Sequence, residues 1–245
     1  MEETTSKSIK KQEIVTVAPL TVDDVKNVTK TNGYVHTNDT SLSYRILKRL
    51  FDVIVSSLCF IIFSPIFLFV SIVIKIMEPK GPVFFGHERN GKNGKKFKMY
   101  KFRSMCLNAE ERLMSDRNLY QKYKDNGYKL NEDEDPRVTK IGKFIRKTSI
   151  DELPQLLNVL KGEMSLVGPR PIPDTELEEY KELKSKFLSV KPGITGWWQV
   201  SGRSNVGYPE RCQLELYYVN NISTKMDLLI LIKTVKSVLQ REGAC

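Results

Sequence analysis

The chain has 245 residues, with 39 lysines and arginines against 29 aspartates and glutamates, giving a formal net charge of +10 and a pI near 9.3. Hydrophobic residues make up 40% and charged residues 28%, a balance that supports a packed core and excludes wholly disordered, collagenous and low-complexity chains. Cys59, Cys106, Cys212 and Cys245 form no CxxC pair and no zinc-ligand spacing, and His36 and His87 stand far apart. A disulfide scaffold, an imidazole metal centre and a histidine triad are poor starting points, and the chain reads as reduced and intracellular.

In chain order, residues 1–40 are polar, include Lys7, Lys10 and Lys11, and carry no sustained period, so they read as a mobile extension. Residues 53–74 contain no charged residue. As a straight helix this run would be about 33 Å long, close to the thickness of a bilayer's hydrocarbon core. It starts too late and is too long for a cleaved signal peptide, which predicts a retained anchor. Arg45, Lys48 and Arg49 precede it and Lys75, Lys80 and Arg89 follow it, so the positive-inside rule places both ends on one side. Pro65 lacks an N–H and collides with the carbonyl of Ile61, predicting a sharp kink at Ser64-Pro65. The Ser64 hydroxyl is expected to bond back to the Phe60 carbonyl. A broken helix that enters and leaves by the same face fits; an ordinary spanning helix with a tolerated proline is the alternative.

From Gly81, the stretches PVFFGHER and KKFKMYKFRSM flank Asn90-Gly91-Lys92-Asn93-Gly94, which predicts a hairpin. A polar helix is expected over residues 107–123, and an acidic loop over 131–135, ending at Pro136. Helical patterns resume over 141–146, 151–160 and 174–187, while Gly and Pro predict irregular backbone over 192–209. In the last helix Thr224-x-x-Asp227 reads as a capping box. Leu228, Leu231, Ile232, Val235, Val238 and Leu239 recur at helical spacing, with Lys225, Lys233, Lys236 and Arg241 among them. That pattern suits either a helix covering the core or one lying in a membrane interface.

The chemistry concentrates between Arg146 and Arg170. Asp151 and Glu152 are adjacent carboxylates. A structural explanation exists for both, since Ser149 or Thr148 can cap a helix whose first turn favours acids and accepts Pro154. The functional reading gives them two tasks: adjacent helical residues diverge by about 100°, so one carboxylate can attack phosphorus while the other serves a cation or a proton. Lys101, Arg103, Arg146, Arg170 and Arg203 are cations suited to phosphate oxygens if they converge. Gly168-Pro169-Arg170-Pro171 holds Arg170 in a stiff backbone. Neither a Walker A sequence nor GxGxxG is present.

These residues carry a resemblance. The anchor with Lys48-Arg49 before it and Ser64-Pro65 within it, then YKFRSM, DELPQLLNVLKGEMSLVGPRP and KPGITGWWQVSGR, resembles the bacterial sugar transferase family of monotopic phosphoglycosyl transferases, in order and over about four fifths of the chain. The resemblance implies a mostly helical, membrane-associated α+β fold, with a mobile extension (1–40), a re-entrant helix (41–78) and a cytoplasmic catalytic domain (79–245) holding a small hairpin and interfacial amphipathic helices. It implies transfer of a sugar 1-phosphate from a UDP-sugar to undecaprenyl phosphate, giving undecaprenyl diphosphate sugar and UMP. This would be the first membrane step of capsule, exopolysaccharide or other glycoconjugate assembly, at the cytoplasmic face of the bacterial inner membrane. Asp151 is implied as nucleophile in a ping-pong reaction through an aspartyl-phosphosugar, with Glu152 as its partner and both carboxylates associated with Mg²⁺. Lys101, Arg146, Arg170 and Arg203 fall where the family binds phosphate or nucleotide, Ser64 and Pro65 at its helix break, and Lys48 and Arg49 where its basic pair meets lipid headgroups. The extension and the acidic stretch between Asn108 and Glu134 depart from a minimal member.

Two other classes compete. A nucleic-acid binder is suggested by the net charge alone, but the cations are dispersed and anchor flanks account for them better, so nucleic acid is not an expected partner. A non-enzymatic membrane scaffold would keep the anchor and the last helix with no need of Asp151. The sugar is not legible, with Trp197, Trp198 and Gln199 candidates only by proximity to Arg203, and homo-oligomerisation is left open.

Overall fold

A computed structural model of the chain describes residues 40–126, 130, 131, 135–202 and 206–240, with the side chains of 239 and 240 excepted. The expected extension lies outside these residues apart from Thr40, as does most of the acidic loop.

The apolar run forms two helices, α1 (Leu42–Ile62) and α2 (Ser64–Met77), bent by 58° at Phe63. Among the described residues no single helix is long and apolar enough to cross a membrane. The break follows from proline chemistry. Pro65 has no N–H for the Ile61 carbonyl, and the Ser64 hydroxyl donates to that same oxygen at 2.7 Å. The expected bond to Phe60 is thus shifted by one residue, onto the acceptor that Pro65 strips of its partner. Val70 and Ile74 on α2 turn inward against Phe102 and Ile145. Leu58, Ile61, Ile62, Leu68, Phe69 and Ile76 point outward with more than half their surface exposed.

The predicted hairpin is present: β1 (Phe84–Asn90) runs antiparallel to β2 (Lys96–Phe102), joined through Asn93 and Gly94 in the left-handed region. The single polar helix expected next is two, α3 (Ala109–Ser115) and α4 (Arg117–Asp125). Asp116 divides them because its carboxylate accepts the Asn118 and Leu119 N–H groups, both at 3.0 Å, and so starts a new helix. Then come α5 (Lys140–Lys147), a 3₁₀ turn (Ile150–Glu152) and α6 (Gln155–Lys161).

Strand β3 (Ser165–Val167) leads to two short helices, α7 (Asp174–Leu177) and α8 (Lys184–Phe187), and then to β4 (Gly193–Thr195), which pairs parallel with β3. The expected 174–187 helix is interrupted by a 3₁₀ segment (Glu178–Leu183), where Lys181 leaves helical geometry. The start of the 192–209 stretch is more regular than its composition suggests, because β4 is followed by α9 (Trp197–Ser201). Glycine serves close approach here: a Cβ on Gly193 would stand 2.1 Å from the Gly168 nitrogen. Helices α10 (Glu210–Asn220) and α11 (Thr224–Gln240) complete the fold. Leu214, Tyr218 and Ile230 on these helices pack with Leu166 and Trp197 in the main core.

The cap of α11 differs from the expected box. Ser223 accepts the Met226 N–H at 3.2 Å, which leaves Asp227 free for longer-range bonds. Its carboxylate accepts the Tyr44 hydroxyl, the Lys48 ammonium and the Tyr218 hydroxyl, each at 2.7 Å. The last helix is thereby tied to the start of the first. On α11 the core-covering reading holds for Met226 and Ile230, which are buried, while Leu228, Ile232, Val235 and Val238 are exposed on another face.

Two expected outcomes follow. Asp227→Ala strands three donors, two of them charged or fully buried, and should lower unfolding free energy by about 3 kcal/mol, with Asp227→Asn losing less. Denaturant titration in detergent measures this, and an alanine variant within about 0.5 kcal/mol of the parent would refute it. Glu215 on α10 is completely buried. Burial pushes its carboxyl up to about 7 against the pull of Arg211 and Arg170. The unfolded glutamate titrates near about 4.3, so the native state holds the proton more tightly. Stability from this group is full below that value and is lost as pH rises through about 7, an effect of up to about 3 kcal/mol. Glu215→Gln should flatten the fall in melting temperature over that interval; an unchanged pH profile would count against it.

Candidate functional site

The site is built on the junction between α5, α6 and the hairpin. Helix α5 ends at Lys147, and Ser149 turns the chain through the left-handed region at φ 56°, a conformation that costs a non-glycine residue on the order of 1 kcal/mol. Asp151 and Glu152 then lie on the 3₁₀ turn, ahead of α6. This corrects the expectation of a capped helix beginning at 151. Ser149 makes no side-chain cap, and the Thr148 hydroxyl donates back to the Phe144 carbonyl at 2.8 Å. Helix capping is therefore no explanation for the two carboxylates.

Their partners are cations from distant segments. Lys101 on β2 places its ammonium 2.8 Å from Glu152 Oε1 and 3.4 Å from Asp151 Oδ2. Arg170 Nη2 stands 3.2 Å from the same Glu152 oxygen. Asp151 is only 6% exposed, so it lacks the water that would otherwise solvate its charge. Burial pushes its carboxyl above the ordinary aspartate range, opposed by Lys101 and Arg146 and assisted by Glu152. Glu152 goes the other way: burial alone would raise it, but Lys101 and Arg170 hold it far below the usual carboxylate range. Two adjacent acids are thus driven apart, one a firm anion and the other a desolvated, more basic carboxylate.

Two polar contacts position this junction, and neither was singled out in the sequence. Asn158, fully buried on α6, accepts the Tyr100 N–H at 3.0 Å and donates to the Lys98 carbonyl at 2.7 Å. It rivets α6 to β2 next to Lys101. Its signal was a lone amide within LLNVL, an apolar run where an unpaired polar group would be costly. Glu215 receives the Arg170 backbone N–H on both carboxylate oxygens at 3.2 Å. Gly168, Pro169 and Pro171 are buried around it, and only the Arg170 side chain emerges.

Of the predicted site residues, the structure brings together Lys101, Asp151, Glu152 and Arg170, with Arg146 acting electrostatically on Asp151. Arg203 lies outside the described residues. Ser64 and Pro65 form the helix break. Where headgroup contacts were expected, Lys48 and Arg49 turn into the protein: Lys48 pairs with Asp227 at 2.7 Å, and Arg49 donates to the carbonyls of Val159 and Leu160 at 2.6 and 2.9 Å. Those oxygens end α6, where a cation complements the helix dipole. Trp197, Trp198 and Gln199 are buried. Both rings pack in the main core, where the Trp198 indole N–H donates to the Val206 carbonyl at 2.9 Å and the Trp197 indole N–H is buried without a partner.

No group of three or more His, Cys, Asp or Glu side chains gathers among the described residues. The donor set still fits Mg²⁺, which is commonly held by one or two carboxylates with the remaining positions taken by substrate phosphate and water.

Comparison with known proteins gives the arrangement a family. The profile described as bacterial sugar transferase matches residues 43–241. A protein of Haemophilus influenzae named as a sugar transferase is 50% identical over 211 residues, covering 84% of this chain and 44% of its own length. The undecaprenyl-phosphate galactose phosphotransferase of Salmonella typhimurium is 46% identical over 213 residues, covering 86% of this chain and 44% of its own length. The exopolysaccharide production protein ExoY of Sinorhizobium fredii is 43% identical over 206 residues, covering 81% of this chain and 88% of its own length. The chain thus spans less than half the length of the first two relatives and most of the third. With the family profile matching residues 43–241 and these relatives 43–50% identical over more than four fifths of its length, the chain belongs to the bacterial sugar transferase family.

Proposed function

We propose that this chain transfers a sugar 1-phosphate from a UDP-sugar to undecaprenyl phosphate, releasing UMP, in assembly of an exopolysaccharide, capsule or related glycoconjugate. The observation that carries the reading is the desolvated Asp151 carboxylate, kept within reach of Lys101 beside a Glu152 that stays ionised. A carboxylate stripped of water and raised in basicity is a competent nucleophile toward phosphorus. The name of the Salmonella typhimurium relative, a galactose phosphotransferase acting on undecaprenyl phosphate, supports the acceptor class.

The reaction runs as two displacements. An Asp151 oxygen forms a bond to the sugar-bearing phosphorus while the bond from that phosphorus to UMP breaks, and UMP leaves with the electron pair. An oxygen of undecaprenyl phosphate then attacks the same phosphorus, and the Asp151–phosphorus bond breaks to restore the carboxylate. No proton need move in either step, so neither carboxylate has to act as a general acid. Lys101 and Arg170 stabilise the charge on the transferring phosphoryl oxygens, and Arg146 adds to the positive field at Asp151. Mg²⁺ held by Glu152 and Asp151 would supply a further positive charge against the phosphates.

The membrane places the acceptor. We read α1 and α2 as a re-entrant pair, supported by the 58° bend and by the large apolar side chains it turns outward. The exposed stripe Leu228, Ile232 and Val235 on α11 is assigned to the same lipid surface. On this reading the site works at headgroup level on the cytoplasmic face of the cell membrane.

Purified protein supplied with UDP-sugars, undecaprenyl phosphate and Mg²⁺ should release UMP and accumulate a phosphosugar adduct detectable by intact mass. Asp151→Asn should abolish the adduct and reduce turnover by at least about 10³-fold; turnover that survives the substitution would remove Asp151 as nucleophile. Tags placed before residue 42 and after residue 240 should be reached from the same face of the membrane, and access from opposite faces would eliminate the re-entrant arrangement.

A further inference from the structure

Arg89 is the one side chain of the hairpin whose chemistry the reaction above leaves unused and whose bonding is incomplete. It stands on β1 opposite Phe97 of β2, and residues 85, 87 and 89 share a face with 97, 99 and 101. Arg89 and Lys101 therefore lie on the same side of the hairpin, their backbone positions about 13 Å apart along the strands. The Arg89 Nε and Nη1 atoms are buried and have no hydrogen-bond partner. Burial, with the repulsion of Arg170 and Arg211, pushes this guanidinium down to about 10, against the attraction of Glu176 and Tyr123. It remains a cation at neutral pH.

The neighbouring carboxylate does not satisfy it. Glu176 is engaged by Arg211 Nη1 and by the Tyr208 hydroxyl, both at 2.9 Å. A buried guanidinium with two idle donors is destabilising unless an anion completes it. Arg170, whose charge Arg89 feels, already reaches Glu152 beside the nucleophile. An anion lying between Arg89 and Arg170 would sit to one side of the phosphorus that Asp151 attacks.

We propose that Arg89 binds the phosphate of the leaving nucleotide, donating to the non-bridging oxygens of the donor's nucleoside-side phosphate and holding them as UMP departs. The inference rests on the proposed reaction for the identity of the anion. The sugar-bearing phosphate belongs to Asp151, Glu152 and Lys101, and the span along the hairpin suits the adjoining phosphate of a diphosphate reached by a long arginine. Planar N–H pairs match phosphate oxygens better than an ammonium does.

The test compares wild type, Arg89→Met and Arg89→Lys in three measurements: UMP affinity by calorimetry, steady-state kinetics with the UDP-sugar donor, and melting temperature without ligand. Arg89→Met should weaken UMP binding and raise donor KM by about 10- to 100-fold, and Arg89→Lys should fall between it and wild type. The melting temperature of unliganded Arg89→Met should equal or exceed that of wild type, since the substitution removes an unpaired buried charge. A structural role predicts the opposite, so a lower melting temperature, a failure to fold, or UMP affinity and KM within twofold of wild type overturns the inference. Wild-type protein that binds no UMP overturns it as well. Protein that binds UMP through Arg89 yet transfers no sugar phosphate would retain this site and discard the reaction; unimpaired turnover in Arg89→Met would do the reverse.

Discussion

The Lys101 ammonium, shared between Asp151 and Glu152, is the contact on which the site depends. Two neighbouring carboxylates with little access to water repel one another and resist ionisation. A single cation 2.8 Å from one and 3.4 Å from the other keeps the pair charged without satisfying both fully. Arg170 tips the balance toward Glu152, which leaves Asp151 the more basic and the less hydrogen-bonded of the two. Moving Lys101 by one position along β2 would carry it to the opposite face of the hairpin. The antiparallel register from Phe84 opposite Phe102 to Asn90 opposite Lys96 is for that reason part of what assembles the candidate site.

The broken apolar helix is coupled to that site through backbone groups. Arg49 holds the last carbonyls of α6, while the buried Asp52 carboxylate accepts the Leu166 N–H at 3.1 Å. Helix α1 thus grips both the helix that follows the paired acids and the strand that leads to Arg170. Lys48, Tyr44 and Tyr218 converge on Asp227 and attach the same helix to α11. The broken apolar helices and the segments that carry the paired acids and Arg170 are thus packed as one unit, which suits the proposed reaction between a nucleotide sugar and a phosphate at a membrane surface.

Much of this was visible in the amino-acid order. An uncharged run of 22 residues interrupted by Ser64-Pro65 is enough to predict a broken apolar helix, because a missing N–H and a ring clash are local facts. The hairpin was legible from alternating residues around Asn90 to Gly94, for the same local reason. Asp151-Glu152 and the proline-bracketed Arg170 were conspicuous as chemistry. Less legible were the division of α3 from α4 at Asp116 and the regular structure within 192–209, where a side-chain cap and a β-strand partner override composition.

What the sequence by itself determined was the inventory: an apolar break, paired acids, dispersed cations and a family pattern in fixed order. What only the tertiary structure decided was which charges meet. Lys101 is fifty residues from Asp151, Glu215 forty-five from Arg170, and Arg49 more than a hundred from the carbonyls it holds. Lys48 and Arg49 looked like surface cations and proved to be internal ties, while Arg89 looked like an anchor flank and proved to be half-buried, with Nε and Nη1 buried and without a hydrogen-bond partner. The strength of a charge interaction depends on distance and on the water removed between the partners. Neither quantity exists in a linear chain until folding brings remote segments into contact and dries the space between them.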